Sequence, residues 1–132
     1  MVIYSNGEFQ MTTQSDNNSF ISDGILYIVP TLTSSVIGNA SIFDGYTYNI
    51  TGCTNTQNVS ACGAVSNATT GSIINPVMSA RISTKKSYNI GYGKVEVRAK
   101  LPTGDWVHKF FYCHTYSYNC LPALACDLDV TS

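Results

Sequence analysis

An all-β fold, built as a sandwich, is what this sequence predicts, and three observations carry the prediction. Turn signals alternate with short runs of β-forming residues. One ten-residue stretch alternates apolar and polar side chains with a period of two. No segment sustains a helical period. Each element follows from its residues. Ser22-Asp23-Gly24 is a turn, and the β formers of residues 25–29 make a strand that Pro30 limits. Asp44-Gly45 is a second turn, and residues 46–50 alternate cleanly behind it. Residues 51–72 are rich in Gly, Asn, Thr and Ser and read as a long surface loop. Residues 77–83 read as a further strand. The clearest strand is residues 93–102, where Val95, Val97, Ala99 and Leu101 share one face and Lys94, Glu96, Arg98 and Lys100 the other.

The chain of 132 residues suits one domain. Its net charge of -1 gives no electrostatic footprint for nucleic acid or an anionic membrane surface. Charged residues are 11% of the chain, against roughly 25% in an ordinary soluble domain. No stretch approaches the length of an apolar membrane span. Sequons of the form N-x-S/T begin at Asn17, Asn39, Asn49, Asn58 and Asn67, and each is an N-glycosylation acceptor if the chain is secreted. Residues 1–8 have neither the basic nor the apolar region of a signal peptide. A secreted parent is therefore expected to carry its signal segment upstream of Met1.

Cysteines stand at 53, 62, 113, 120 and 126. Cys53 and Cys62 flank a short polar loop and are expected to close a structural disulfide in an oxidising compartment. The odd count is notable in a secreted chain. Cys113, His114, Cys120 and Cys126 match no common zinc spacing, so no metal is expected. No other cofactor is expected, and no obligate protein partner.

Three stretches carry a family resemblance: SFISDGILYI (residues 19–28), NPVMSARIST (75–84) and, most specific, YGKVEVRAKLPTGDW (92–106). In order and spacing they resemble family 16 of the glycoside hydrolases, above all fungal β-1,3-glucanase and laminarinase-like members. The resemblance implies a partial jelly-roll β-sandwich of the concanavalin A-like kind, with β-glucan polysaccharide lying across its concave face. It implies hydrolysis of β-1,3- or β-1,3/1,4-glucan with retention of configuration, and an extracellular or cell-wall location for the full-length parent. It places Glu96 and Arg98 on the cleft-lining face, where they hydrogen-bond sugar hydroxyls. Trp106, at a strand end, is weighed as a sugar-stacking residue and better suits the core or rim.

The resemblance covers about residues 8–106 and stops at Trp106. Residues 1–106 are thus expected to be the N-terminal part of the family domain. Residues 107–132, VHKFFYCHTYSYNCLPALACDLDVTS, have no clear period and match nothing in the family. They are expected to be an unrelated C-terminal tail, intron-derived or out of frame. The catalytic pattern E-[IL]-D-[IV]-x-E is absent. A retaining glycosidase needs two carboxylates about 5 Å apart. This chain has two Glu residues, Glu8 and Glu96, and neither lies in such a motif. Asp127 and Asp129 lack the third carboxylate. No turnover is expected of this chain. The alternatives are a glucan-binding module without catalysis and a non-functional truncated gene product. A sandwich ending at half its strands would also expose apolar faces and dissolve poorly.

Overall fold

Asp23 and Gly24 both take positive φ, 51° and 75°. That is the backbone of a two-residue type I′ turn, whose twist matches the flanking strands. The turn joins β2 (Ser19–Ser22) to β3 (Ile25–Ile28) in an antiparallel hairpin with Ser22 opposite Ile25 and Phe20 opposite Tyr27. The computed structural model describes residues 9–53, 62–84, 87–88, 90, 94–103, 108–118 and 121–131. The chain divides into two units, one ending at Ala80 and the other running from Arg81 to Thr131.

The first unit is built on a three-stranded sheet. β1 (Gln10–Thr12) pairs in parallel with β7 (Val77–Ser79), which pairs antiparallel with β4 (Thr31–Leu32). Two short helices follow β4, α1 (Ser34–Ile37) and α2 (Asn39–Phe43). A second hairpin pairs β5 (Thr47–Asn49) with β6 (Gly63–Val65). Met11 and Met78, directly opposed across the parallel pair, join Ile42 of α2 and Ile74 in the core. Ile37, Tyr48, Ile50 and Ala64 pack against that cluster. Burying a side chain of this size contributes about 1.5–3 kcal/mol, so four such residues and their neighbours make a small core.

Buried polar groups do much of the remaining joining. Thr33 opens α1, yet its hydroxyl makes no cap bond. The hydroxyl donates instead to the Asn75 carbonyl at 2.6 Å, and the Thr33 amide donates to the Pro76 carbonyl at 2.8 Å. Ser66, also buried, donates through its hydroxyl to the Ser41 carbonyl at 2.8 Å and accepts from the Tyr46 amide at 3.0 Å. Each bond satisfies a group that burial would otherwise penalise.

The second unit is an antiparallel sheet in the order β8 (Arg81–Ser83), β10 (Leu121–Thr131), β9 (His108–Tyr118). β9 and β10 pair along their whole lengths, Tyr118 opposite Leu121 and His108 opposite Thr131. β8 flanks only Asp127–Asp129, so Pro122 stands where no third strand needs its missing N–H.

The described chain is mostly strand with two short helices, in keeping with the all-β expectation. Several elements differ from their sequence readings. The stretch 93–102, expected to be the clearest strand, is not one: its described residues, 94–102, belong to no strand, and Val95, Val97 and Leu101 are exposed. Alternation specifies a face, but a strand also needs a neighbour to bond, and no strand pairing among the described residues includes 94–102. The single strand expected over 77–83 is two, β7 and β8, separated at buried Ala80. β6 lies inside the expected loop 51–72, and α1 and α2 were not expected at all. At four and five residues they are too short to show a period. Residues 108–118 and 121–131 form strands without a clear period. In β9 that accords with a load of Tyr, Phe and Thr, whereas β10 holds Pro122, Asp127 and Asp129 and is a strand against its local preference, paired with β9 along its length.

Candidate functional site

Glu96 and Arg98 lie on the segment 94–103, outside any strand, and both are exposed. The Lys94 ammonium pairs with the Glu96 carboxylate, the two side chains 81% and 74% exposed. Residues two apart on an extended segment share a face, which is how a short lysine–glutamate pair of this spacing closes. In water such a pair contributes little. Glu8 and Trp106 lie outside the described residues. Asp127 and Asp129 stand opposite Ser83 and Arg81 in the β8–β10 pair.

Cys53 and Cys62 are joined by a disulfide with Cα atoms 5.6 Å apart. The bridge closes the loop of the β5–β6 hairpin just beyond the bond from the Ile50 amide to the Cys62 carbonyl at 2.8 Å. Cys113 is also disulfide-bonded, a feature that spacing alone did not signal. Its thiolate is thereby removed from any metal-ligand set. The residue opposite it across β9–β10 is Cys126. No helix among the described residues is long and apolar enough to cross a membrane.

Four of the five sequon asparagines fall on described residues, and Asn58 falls outside them. Asn17, Asn39, Asn49 and Asn67 are all exposed, as a glycan acceptor must be. Asn67 has the most defined geometry: its side-chain oxygen accepts from the Thr69 amide at 2.8 Å and the Thr70 amide at 3.2 Å. That Asx turn leaves the amide nitrogen pointing away from the bonds its oxygen makes.

Two arrangements escaped the sequence reading. Asn18, 1% exposed, donates through its side-chain amide to the Val29 carbonyl and the Thr31 hydroxyl, both at 2.9 Å, and to the Met78 carbonyl at 3.2 Å. Its oxygen accepts from the Thr13 hydroxyl at 2.9 Å. No period or motif marks a buried Asn of this kind. The other is a ring stack on the β2–β3 hairpin. Phe20 and Tyr27 have centroids 5.0 Å apart and planes 10° from parallel. Here a signal existed, because a two-residue Asp23-Gly24 turn fixes Phe20 opposite Tyr27. The Tyr48 phenol is pushed above its ordinary value of 10.0, first by burial and then by the charge of Tyr46.

Comparison with known proteins places the chain beside arthropod proteins named for glucan and bacterial recognition. It is 37% identical over 106 residues to a beta-1,3-glucan-binding protein of Penaeus monodon, covering 77% of this chain and 29% of that protein. It is 38% identical over 94 residues to Gram-negative bacteria-binding protein 1 of Drosophila melanogaster, covering 70% and 19%. It is 35% identical over 91 residues to beta-1,3-glucan-binding protein 1 of Galleria mellonella, covering 69% and 18%. The chain thus spans less than a third of the length of these relatives. No family model matches it, and no solved structure matches it.

Proposed function

We propose that this chain is a β-1,3-glucan-recognising module that binds its polysaccharide without cleaving it. The observation that carries the reading is its similarity to several proteins named for β-1,3-glucan binding, at 35–37% identity over about two thirds or more of the chain. The chemistry of the residues supports the same side of the choice. Retaining hydrolysis needs two carboxylates about 5 Å apart across the scissile bond. Glu96 is solvated and paired with a lysine, and the sequence holds no E-x-D-x-x-E pattern. The hydrolytic role implied by the family 16 resemblance, and its jelly-roll sandwich, stay with that resemblance. Glu96 and Arg98 are proposed as donors and acceptors for sugar hydroxyls, since exposed charged groups that hold no buried partner give strong hydrogen bonds to a polyhydroxylated ligand. A secreted location is proposed with it, supported by the Cys53–Cys62 bridge and the exposed sequons.

The test is direct. The purified chain is titrated with laminarin by calorimetry, and the same mixture is assayed for reducing ends. Saturable binding with no release above a blank is expected. Absence of binding would overturn the reading, and so would glucanase activity that Glu96→Gln abolishes.

A further inference from the structure

The two faces of the β2–β3 hairpin differ in chemistry. Cross-strand partners share a face, and alternate residues lie on opposite ones. One face therefore carries Ile21, Leu26 and Ile28 with Ser19, an aliphatic surface suited to packing. The other carries Phe20, Tyr27, Ser22 and Ile25. On it the two aromatic rings lie nearly parallel, and each residue keeps 39% of its surface open. At the turn end of the same face the Ser22 hydroxyl donates to the Asp23 carboxylate at 3.4 Å, and both residues are exposed.

We infer that this aromatic face, Phe20 and Tyr27 with the Ser22–Asp23 tip, is a sugar-stacking platform for a neutral glucan chain. The inference rests on the glucan-binding reading and deepens it, and it does not use Glu96 or Arg98. A pyranose ring offers an apolar C–H face and an equatorial rim of hydroxyls. The platform offers the complement, apolar ring surface beside a hydroxyl and a carboxylate that accepts hydrogen bonds. Charge selects among ligands. Asp23 is the single ionised group in residues 19–28, so the hairpin itself offers no cation to a phosphate or sulfate, and its charge disfavours acidic glycans. A neutral polysaccharide meets no such penalty. The stack also holds each ring against the other before ligand arrives, which reduces the rotamer freedom lost on binding.

Hydroxyl-radical footprinting of the whole chain, with and without laminarin, tests this on the wild-type protein. Oxidation of Phe20 and Tyr27 is expected to fall in the presence of laminarin and to be unchanged with dextran sulfate, while Tyr88, 67% exposed, is unaffected. The double variant Phe20→Leu/Tyr27→Leu is expected to bind laminarin about tenfold more weakly, and Phe20→Tyr/Tyr27→Phe to bind as wild type does. Laminarin binding that leaves Phe20 and Tyr27 unprotected would overturn the platform and leave the glucan reading standing. Absence of laminarin binding by the wild-type chain would overturn both. Footprinting needs no variant, so a leucine double variant that failed to fold would not remove the test.

Discussion

The Asn18 side-chain amide donates to the main-chain carbonyl of Met78, sixty positions further along the chain, at 3.2 Å. The same side chain holds the Val29 carbonyl and the Thr31 and Thr13 hydroxyls, so one residue ties the start of β2 to the end of β3, to β4 and to β7. Its removal strands several buried partners at once, and a buried group left unsatisfied costs about 1–3 kcal/mol. Asn18→Leu is therefore expected to destabilise the first unit by more than about 2 kcal/mol. Asn18→Asp should cost at least as much, since it replaces the donor by a buried charge. Asn17→Ala, one exposed position away, should change stability by less than about 0.5 kcal/mol. Hydrogen exchange of the Thr13 and Val29 amides reads this locally. Unchanged protection of both in Asn18→Leu would refute the account.

Two glycines separate a steric requirement from a conformational one. A Cβ on Gly63 would stand 2.5 Å from the Tyr48 carbonyl oxygen, on the strand paired with it. Backbone cannot swing aside as a flexible side chain would, so Gly63→Ala should open the β5–β6 hairpin. A Cβ on Gly71 meets nothing, but its φ of 72° is left-handed. Gly71→Ala should cost only about 1 kcal/mol, the ordinary penalty of that conformation. The comparison is made on exchange at the Ile50 amide, which bonds to the Cys62 carbonyl beside this hairpin. Equal losses in the two variants would count against the contact as the cause.

These residues also show which parts of the molecule its sequence made legible. The β2–β3 hairpin could be read in advance because Asp23-Gly24 is chemically committed to one turn, and β5 because Asp44-Gly45 precedes a clean alternation. Residues 93–102 misled for a physical reason. Their alternation says which side chains share a face, while strand formation depends on a partner distant in sequence, which alternation does not specify. The reverse occurred at β9, whose Tyr, Phe and Thr favour a strand without a clear alternation, and at β10, where pairing with β9 overrides Pro122, Asp127 and Asp129. Of the candidate site, Glu96 and Arg98 came from resemblance alone. The Phe20–Tyr27 stack was implicit in the turn register, and the Asn18 network left no trace in composition or period.

Tyr48 is expected to make the β5–β6 hairpin sensitive to alkali. Burial disfavours its phenolate, so the folded chain holds the proton more tightly than the unfolded chain does. A raised value contributes stability that is fully present below the ordinary value of 10.0 and is lost as pH rises through the folded one. Wild-type near-ultraviolet circular dichroism should therefore weaken above that pH. Tyr48→Phe, which keeps the ring against the core and has no proton to lose, should weaken less over the same interval. Superimposable alkaline profiles for the two proteins would show that Tyr48 is not the group responsible.

The β9–β10 hairpin poses a register problem that a disulfide answers. β9 and the first half of β10 have no clear apolar–polar alternation, so over that part of the hairpin the sequence pattern specifies the pairing only weakly. Cys113 is disulfide-bonded and stands opposite Cys126 in the observed register. Directly opposed residues of an antiparallel pair have Cα atoms roughly 4.5–5.5 Å apart, inside the span of roughly 4.4–6.8 Å that a disulfide bridges. A Cys113–Cys126 bond is therefore expected, locking the eleven-residue pairing at one point. Of the chain's five cysteines, Cys53 and Cys62 are bonded to each other. One thiol per chain should then react with a maleimide under denaturing, non-reducing conditions, and peptide mapping should place it at Cys120. Cys113→Ser should release a second reactive thiol at Cys126 and lower hydrogen-exchange protection across β9 and β10, with the β5–β6 hairpin unaffected. Recovery of a Cys113–Cys120 peptide, or three reactive thiols in the native chain, would break the link between this bond and the register.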